Sequence, residues 1–328
     1  MKNAASMLEH ALIQPARVVG PTAWVGHIPF ASWILARQHP AIFVELGTHT
    51  GNSYLAFCQA VQENGLNTKC YAVDTWHGDE HAGHYDDNVF NELSEYHNKN
   101  YEAFSRLLRM TFDEALPYFT DGSIDLLHID GLHTYEAVKH DFETWLPKLS
   151  RRGIVLFHDT NVRERGFGVW KLWEELCEKY PSMHFEHSHG LGVLFVGKDI
   201  PTEIQDMLQT YRTDALTVKK FFAYLGQRIG QQYELTILHQ AVAERDGQIA
   251  ALHQAVAERD GQIAALHQAV AERDAQIAAL HQAVAERDAQ IAGYGETIQK
   301  ITHSRSWRLT SPLRFIVRLL SGRLGNNG

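Results

Sequence analysis

The strongest constraint on this chain is a fourteen-residue repeat. The motif LHQAVAERDGQIAA begins at Leu238 and recurs from Leu252, Leu266 and Leu280 with one glycine replaced by alanine in the last two copies. Fourteen residues are two heptads, in which valine or isoleucine takes every a position and leucine takes alternate d positions. Seven-residue periodicity over so many turns requires a partner helix. The repeat predicts a coiled coil of roughly 95 Å at 1.5 Å per residue.

The sequence constrains the number of helices in this coiled coil less strongly. β-branched residues at a with leucine at d favour a parallel dimer. Arginine occupies the other d positions, Arg245, Arg259, Arg273 and Arg287, and each must reach solvent or a carboxylate beside the apolar stripe. We therefore expect a homo-oligomer, either a dimer or a trimer, and the alternative is a solvated single helix.

The segment before the repeat alternates between strand and helix patterns. The predicted strands are 41–46, 69–73, 107–110, 124–129 and 153–157, followed by an antiparallel pair at 185–187 and 192–196; the predicted helices are 53–63, 89–100, 114–119, 135–146 and 169–180. Alternating βα units favour a doubly wound, Rossmann-like α/β fold with a mostly parallel seven-stranded sheet. Such sheets bind ligands beyond the carboxyl ends of their strands.

Charge and cysteine content exclude several classes of protein. The formal net charge is −9, although residues 293–328 carry +5, so nucleic acid is not an expected partner. The three cysteines, Cys58, Cys70 and Cys177, fit neither a disulfide framework nor a zinc-thiolate site. No apolar run is long enough to span a membrane, and the first residues lack a signal-peptide core. We expect a cytoplasmic protein with at most peripheral contact with the inner face of the plasma membrane.

A glycine-containing turn follows the first predicted strand. Gly47, Thr48 and Gly51 lie in the sequence ELGTHTGNS, where glycines allow a ligand to approach the backbone closely. The turn lacks the third glycine of the dinucleotide fingerprint and the lysine of a P-loop. Asp74 ends the second predicted strand, where an acidic side chain can bind ribose hydroxyls. The alternative for Asp74 is a turn cap.

Two further strand ends carry carboxylates and imidazoles. Asp130 and His133 follow strand 124–129, and His158 and Asp159 follow strand 153–157. Because neighbouring parallel strands end at the same edge, we expect these side chains to share one crevice. Carboxylates favour Mg²⁺ or Ca²⁺, and an added imidazole favours Mn²⁺ or another transition metal. The alternative is that these residues cap helices and turns.

Four motifs in this order resemble one enzyme family. The segments VELGTHTGNSY, AVDTW, IDLLHIDGLHTYEAVKHD and GIVLFHDT are similar to those of class I S-adenosylmethionine (SAM)-dependent methyltransferases of the bacterial surface-glycan and sugar O-methyltransferase group. The resemblance covers residues 20–197. It implies that Glu45, Gly47 and Gly51 line the methionine and ribose part of SAM, that Asp74 holds the ribose, and that Thr111 or Phe112 borders the adenine.

The same resemblance implies a metal and a base. Asp130 and Asp159 correspond to ligands of a divalent cation, Mg²⁺ or Mn²⁺, with His158 as the third ligand, although His158 departs from the acidic pair of some relatives. His133 corresponds to the catalytic base that takes a proton from a sugar hydroxyl. The implied substrate is a surface polysaccharide such as the O-antigen of lipopolysaccharide. Methylation would then cap the growing chain. The alternatives are a small-molecule sugar O-methyltransferase of natural-product biosynthesis and an oligomeric scaffold with a vestigial head.

Four regions are predicted along the chain. They are a methyltransferase domain at 1–200, a helical linker at 201–237, a coiled-coil stalk at 238–302 and a basic amphipathic tail at 303–328. Within the first region, the acidic and histidine-rich loop 77–87 is predicted to be a lid. The tail mixes arginines with bulky apolar residues, which suits either an anionic membrane surface or a partner protein. It is similar to the endings of bacterial glycan glycosyltransferases and methyltransferases, which favours a glycan-assembly context with a glycosyltransferase as one candidate partner.

Overall fold

The structure, a computed structural model, describes residues 8–321. The chain divides into two compact units, Met1–Gln240 and Ala241–Gly328. The boundaries expected at residues 200, 237 and 302 stay predictions. The first seven residues of the predicted methyltransferase domain and residues 322–328 of the predicted tail lie outside the described residues.

The first unit is built on a seven-stranded sheet of order β5-β2-β1-β6-β7-β9-β8. The strands are β1 Ile42–Leu46, β2 Lys69–Asp74, β5 Ser105–Arg109, β6 Ile124–Ile129, β7 Leu149–His158, β8 Ser182–Phe185 and β9 Leu191–Phe195; β3 Gly78–Asp79 and β4 Gly83–His84 form a separate two-stranded hairpin. Strands β1, β2, β5, β6 and β7 pair in parallel, and β9 runs antiparallel to both neighbours. The predicted fold class is confirmed.

Helices cover both faces of this sheet. They are α1 Ile28–Gln38, α2 Asn52–Glu63, α3 Asp87–Asn100, α4 Phe112–Ala115, α5 Tyr135–Trp145, α6 Val169–Cys177 and α7 Thr202–Thr213, with α8 Ala215–His303, α9 Arg305–Leu309 and α10 Ser311–Ser321 following. Successive residues of a strand point to opposite faces. Phe43 therefore packs in one apolar core and Val44 in the other.

Several predicted element boundaries differ from the structure, and two of the differences have a local reason. Strand β5 begins at Ser105, before the predicted 107, because the Ser105 hydroxyl hydrogen bonds with Tyr54 at 2.6 Å inside the core. Helix α4 begins at Phe112, before the predicted 114, because Thr111 and Glu114 form a capping box. The segment 77–87, predicted as a loop, contains the hairpin of β3 and β4, and its role as a lid stays a prediction.

The second unit contains the remainder of α8, followed by α9 and α10. A long helix through the repeat is confirmed, whereas the partner helix stays a prediction. The a-position side chains Val256, Ile263 and Val270 are 56%, 50% and 57% exposed in the single chain. Among residues 8–321, no helix is both long enough and apolar enough to cross a membrane.

Candidate active site

A cavity of about 950 Å³ opens beyond the carboxyl ends of β1, β2, β6 and β7. Most of the predicted site residues line it: Gly47, Thr48, Asp74, Thr111, Phe112, Asp130, His133, His158 and Asp159. Glu45 and Gly51 do not form part of the described wall. One crevice therefore brings together the predicted cofactor residues and the predicted metal and base residues, as parallel strand ends should.

Gly47 and Gly51 shape the turn between β1 and α2, called the glycine turn below (residues 47–51). Both have φ of +86°, which side chains disfavour. A β-carbon on Gly47 would lie 2.0 Å from the backbone oxygen of Asp130. On Gly51 it would lie 2.4 Å from a methyl group of Leu93. The first glycine thus allows the ends of β1 and β6 to meet, and the second allows α2 to begin.

Asp74 holds the glycine turn from the end of β2. Its Oδ2 accepts the backbone N–H groups of Thr48 and His49 at 2.8 and 2.9 Å, and its Oδ1 accepts that of Trp76 at 2.7 Å. A carboxylate offers about four lone-pair sites. Three backbone donors leave room for one more, so Asp74 can organise the turn and still accept a hydroxyl from a ligand in the cavity.

Glu45 lies inside the sheet rather than in the cavity wall. It is fully buried, and its Oε2 lies 2.8 Å from Nδ1 of His128, the residue directly opposite on β6. Trp24 donates its indole N–H to His128 Nε2 at 3.1 Å, so His128 donates from Nδ1 to the carboxylate. Burial raises the pKa of Glu45. Glu45 thus joins β1 to β6 through a buried partner that the sequence analysis missed.

Asp130, His133 and Asp159, called the acidic cluster below, meet at the ends of β6 and β7. Their potential ligand atoms all lie within 4.8 Å of one another. His133 Nε2 lies 2.9 Å from Asp159 Oδ2 and 3.5 Å from Asp130 Oδ1. Two carboxylates and one imidazole at this spacing fit a divalent cation of the Mg²⁺ or Mn²⁺ type. The cluster is thus a candidate metal centre built by the predicted strands.

The charges within the cluster are mutually compensated. Burial alone would lower the pKa of His133, but Asp130 and Asp159 raise it to about 9. Burial alone would raise the pKa of Asp130, but His158 and His133 hold it well below its usual value. Nδ1 of His133 has no hydrogen-bond partner among the described residues. This nitrogen is itself buried, and it is the ring atom whose hydrogen-bonding capacity the described residues leave unused.

His158 occupies a different position in the site from the one expected of a ligand. Its Nδ1 lies 3.1 Å from Asp130 Oδ1, and its Nε2 donates to the backbone oxygen of Ser188 at 3.0 Å. Burial alone would lower the pKa of His158, but Asp130 and Asp159 raise it well above its usual value. With both nitrogens engaged in the protein, His158 is placed to orient the carboxylates, and its role as a metal ligand stays a prediction.

The β3–β4 hairpin forms one wall of the cavity beside the acidic cluster. The ring of His81 lies 4.5 Å from that of Phe167, which stacks on His133 at 4.6 Å with an interplanar angle of 6°. Arg165 donates to the backbone oxygen of His81 at 2.7 Å. These contacts join the predicted lid to the loop after β7, directly over the predicted base. His81 and Phe167 lie far apart in sequence, and no motif identified them as a pair.

The comparison with known protein families agrees with this geometry. Residues 44–160 match the family model of a methyltransferase domain. The matched segment contains the glycine turn, Asp74 and the whole acidic cluster. The methyltransferase part of the resemblance noted in the four sequence motifs is therefore confirmed for this segment.

Individual relatives give less detail. An uncharacterized protein of Sinorhizobium fredii is 49% identical over 224 residues, which are 67% of this chain and 24% of that protein. The chain thus spans about a quarter of the length of this relative.

Two solved structures are similar in part. One is an SAH-bound methyltransferase of Podospora anserina, with a TM-score of 0.42 and 15% identity, covering 59% of this chain and 88% of that one. The other is an O-methyltransferase involved in tomaymycin synthesis from Streptomyces achromogenes, in complex with SAM, with a TM-score of 0.40 and 12% identity, covering 59% and 87%.

Proposed function

We propose that this chain is a metal-assisted, SAM-dependent O-methyltransferase that acts on a sugar hydroxyl. The observation that carries the proposal is the single cavity in which the glycine turn and Asp74 face the acidic cluster, within a segment that matches a methyltransferase domain. Its volume of about 950 Å³ lies near the upper end of the range for small-molecule pockets. That space accommodates a nucleoside cofactor with part of a sugar.

On the cofactor side, the chain supplies backbone shape and one carboxylate. SAM, when bound, supplies the methyl group. Gly47 keeps the wall free of a side chain, and Asp74 retains one acceptor site for a ribose hydroxyl. Phe112 and Thr111 line the cavity beyond the end of β5, where the resemblance implies the adenine. Holding donor and acceptor in line supplies much of the rate of such a transfer.

On the acceptor side, the acidic cluster positions and deprotonates the hydroxyl. Asp130 and Asp159 would hold a divalent cation, whose positive charge would lower the pKa of the acceptor hydroxyl and oppose the proton on His133. Asp159 fixes the orientation of His133 through the contact of 2.9 Å. His133, placed in this way, takes the proton as general base. His158 keeps Asp130 in position through Nδ1.

The substrate we propose is a surface polysaccharide of the O-antigen type, with methylation capping chain growth. The long repeat helix supports this, because a polymer needs an enzyme held at a fixed place whereas a diffusing substrate does not. A homo-oligomeric stalk and a glycosyltransferase partner belong to the same proposal. A small-molecule sugar O-methyltransferase has the same cavity chemistry and is the second candidate, and an acceptor panel distinguishes the two.

Calorimetric titration tests the cofactor half of the proposal. We expect the full chain to bind SAM and Asp74→Asn to raise the Kd at least about tenfold, because a hydrogen bond to a charged group contributes about 1.5–3 kcal/mol. Asp87→Asn is the control, since the Asp87 carboxylate pairs with Arg109 and lies outside the described cavity wall. Absence of SAM binding, or an unchanged Kd in Asp74→Asn at an unchanged Tm, would favour the scaffold alternative.

Metal removal tests the acceptor half. With SAM and a panel of defined oligosaccharides read by mass spectrometry, we expect chelation and dialysis to lower the rate of methyl transfer at least about tenfold. Mg²⁺ or Mn²⁺ should restore it, since Asp130 and Asp159 offer carboxylate donors. If exhaustively dialysed protein still methylates the acceptor and chelators do not slow it, the cation has no part in the mechanism. Methylation of free monosaccharides alone would favour the small-molecule candidate.

A further inference from the structure

Helix α10 (Ser311–Ser321) presents a wide apolar face. At about 100° per residue, its apolar side chains cover an arc of roughly 200°. They are Leu313, Phe315, Ile316, Val317, Leu319 and Leu320, and each is more than half exposed in the described chain. The rest of the circumference carries Ser311, Arg314, Arg318 and Ser321. A coiled-coil stripe of a and d positions is narrower than this arc.

The charge of the same region has one sign. Arg305, Arg308, Arg314 and Arg318 lie in residues 304–321, which contain neither aspartate nor glutamate. Copies of such a segment repel one another when they are packed side by side. An anionic surface complements it, because each arginine near anionic headgroups is attracted to the surface potential.

Trp307 lies at the beginning of this region and is held in place by the neighbouring helix. The guanidinium carbon of Arg314 lies 3.6 Å from the centre of the Trp307 ring, and Arg314 also donates to Thr310 Oγ1 at 2.7 Å. Trp307 remains 39% exposed. Tryptophan with arginine at the border of an apolar face is typical of helices that lie in the headgroup region of a bilayer.

The chain also separates this region from the repeat helix. Helix α8 ends at His303, and Ser304 caps α9 by accepting the backbone N–H of Trp307 at 3.2 Å. Pro312 then stands at the beginning of α10, where the missing N–H costs nothing. The heptad frame of the stalk is therefore interrupted before the wide apolar face begins. A second copy of α10 is thus a poor occupant of that face.

We infer that residues 305–321 form an interfacial anchor that binds an anionic phospholipid surface. The apolar arc of α10 enters the acyl boundary, and the arginines, which lie on the opposite side of the helix and in α9, are attracted to the negative potential of the headgroups. Three observations carry this inference: the apolar side chains of α10 are exposed, their arc is wide, and the charge of residues 304–321 is uniformly positive. The inference is independent of the proposed activity. It assigns one occupant to the face that the repeat helix leaves uncovered.

Vesicle flotation of the full chain tests the anchor. The probes are phosphatidylcholine vesicles with about 30% phosphatidylglycerol and vesicles of phosphatidylcholine alone. We expect at least about fivefold more protein to float with the anionic vesicles, and about 0.5 M salt to reduce that binding. The double variant Ile316→Asp/Leu320→Asp should lose it. The matched control is Ser311→Asp/Ser321→Asp, which adds the same charge on the polar side of α10 and should retain most binding.

Three results would overturn the anchor. The first is a full chain that stays unbound with both vesicle types, which would leave a protein partner as the occupant. The second is equal loss of binding in both double variants, which would make the effect one of charge alone. The third is a parent chain that does not bind vesicles, combined with a lower oligomer mass in Ile316→Asp/Leu320→Asp. That result would identify a second copy of the chain as the occupant.

Discussion

Replacing His133 by glutamine is expected to lower kcat for methyl transfer by roughly 10²- to 10⁴-fold, the usual contribution of a general base. The Kd for SAM should stay within about twofold, because His133 acts on the acceptor. The reason is geometric. His133 has one ring nitrogen beside Asp159 and a second, buried nitrogen without a partner among the described residues, so its imidazole is oriented and the protein leaves one nitrogen unused. Steady-state kinetics and calorimetry measure the two effects separately.

The control for this substitution is His84→Gln in the β3–β4 hairpin. His84 is exposed, and its Nδ1 lies 3.4 Å from the backbone oxygen of His77, so its loss should leave kcat nearly unchanged. The pH profile separates a base from a positioning residue. A base must lose its proton before it acts, so the parent rate should rise with pH through one titration that His133→Gln lacks. A variant whose kcat stays within about threefold of the parent would exclude His133 as the base.

The strand ends of the site could be predicted because they follow from local rules. Apolar runs located β1, β6 and β7, and parallel neighbours must end at one edge of a sheet. That was enough to expect Asp130 beside His158 and Asp159, and the Nδ1 of His158 lies 3.1 Å from Asp130 Oδ1. The two glycines of the segment ELGTHTGNS likewise identified the turn after β1, and both have positive φ in the structure.

The position of Glu45 could not be predicted from the motif alone. The resemblance assigned it to the wall of the cofactor site. Alternation along β1 places Glu45 on the same face as Phe43, opposite His128 of β6, and its role at the cofactor stays a prediction. The pairing of β1 with β6 joins residues 83 apart in sequence, and that register depends on the whole sheet. The buried Glu45–His128 pair could be recognised only once the two strands were aligned.

The loop residues around the acidic cluster were missed for a similar reason. Ser188 and His189 reach the site from the β8–β9 turn, and Phe167 reaches it from the loop after β7, where it meets His81 of the predicted lid. His189 Nδ1 lies 3.2 Å from Asp159 Oδ1, and both residues have positive φ. Such conformations depend on tertiary contacts, for example the hydrogen bond from Asn161 N to His189 O at 2.8 Å. No periodicity in the sequence encodes them.

Three aspartates introduced at a positions of the stalk are expected to convert the full chain to a monomer of 37.2 kDa. The substitutions are Val256→Asp, Ile263→Asp and Val270→Asp. In an oligomer these side chains would be buried against their counterparts, where unpaired carboxylates cost far more than the burial of valine or isoleucine gains. Light scattering coupled to size-exclusion chromatography measures the mass. The parent should have twice or three times the monomer mass.

The matched control moves the same three charges by one residue, to Ala257→Asp, Ala264→Asp and Ala271→Asp. These b positions point away from the apolar stripe, so the oligomer should persist even though aspartate is also a weaker helix former than alanine. Deleting residues 252–265 removes one whole repeat and keeps the heptad frame, and it too should leave the oligomer intact.

A parent of monomer mass would leave the repeat as a solvated single helix. If the oligomer dissociates in both aspartate triplets, the lower helix propensity of aspartate, rather than burial at position a, controls assembly. A loss of assembly confined to the a-position triplet would make the heptad stripe the cause, since only burial distinguishes the two sets of carboxylates.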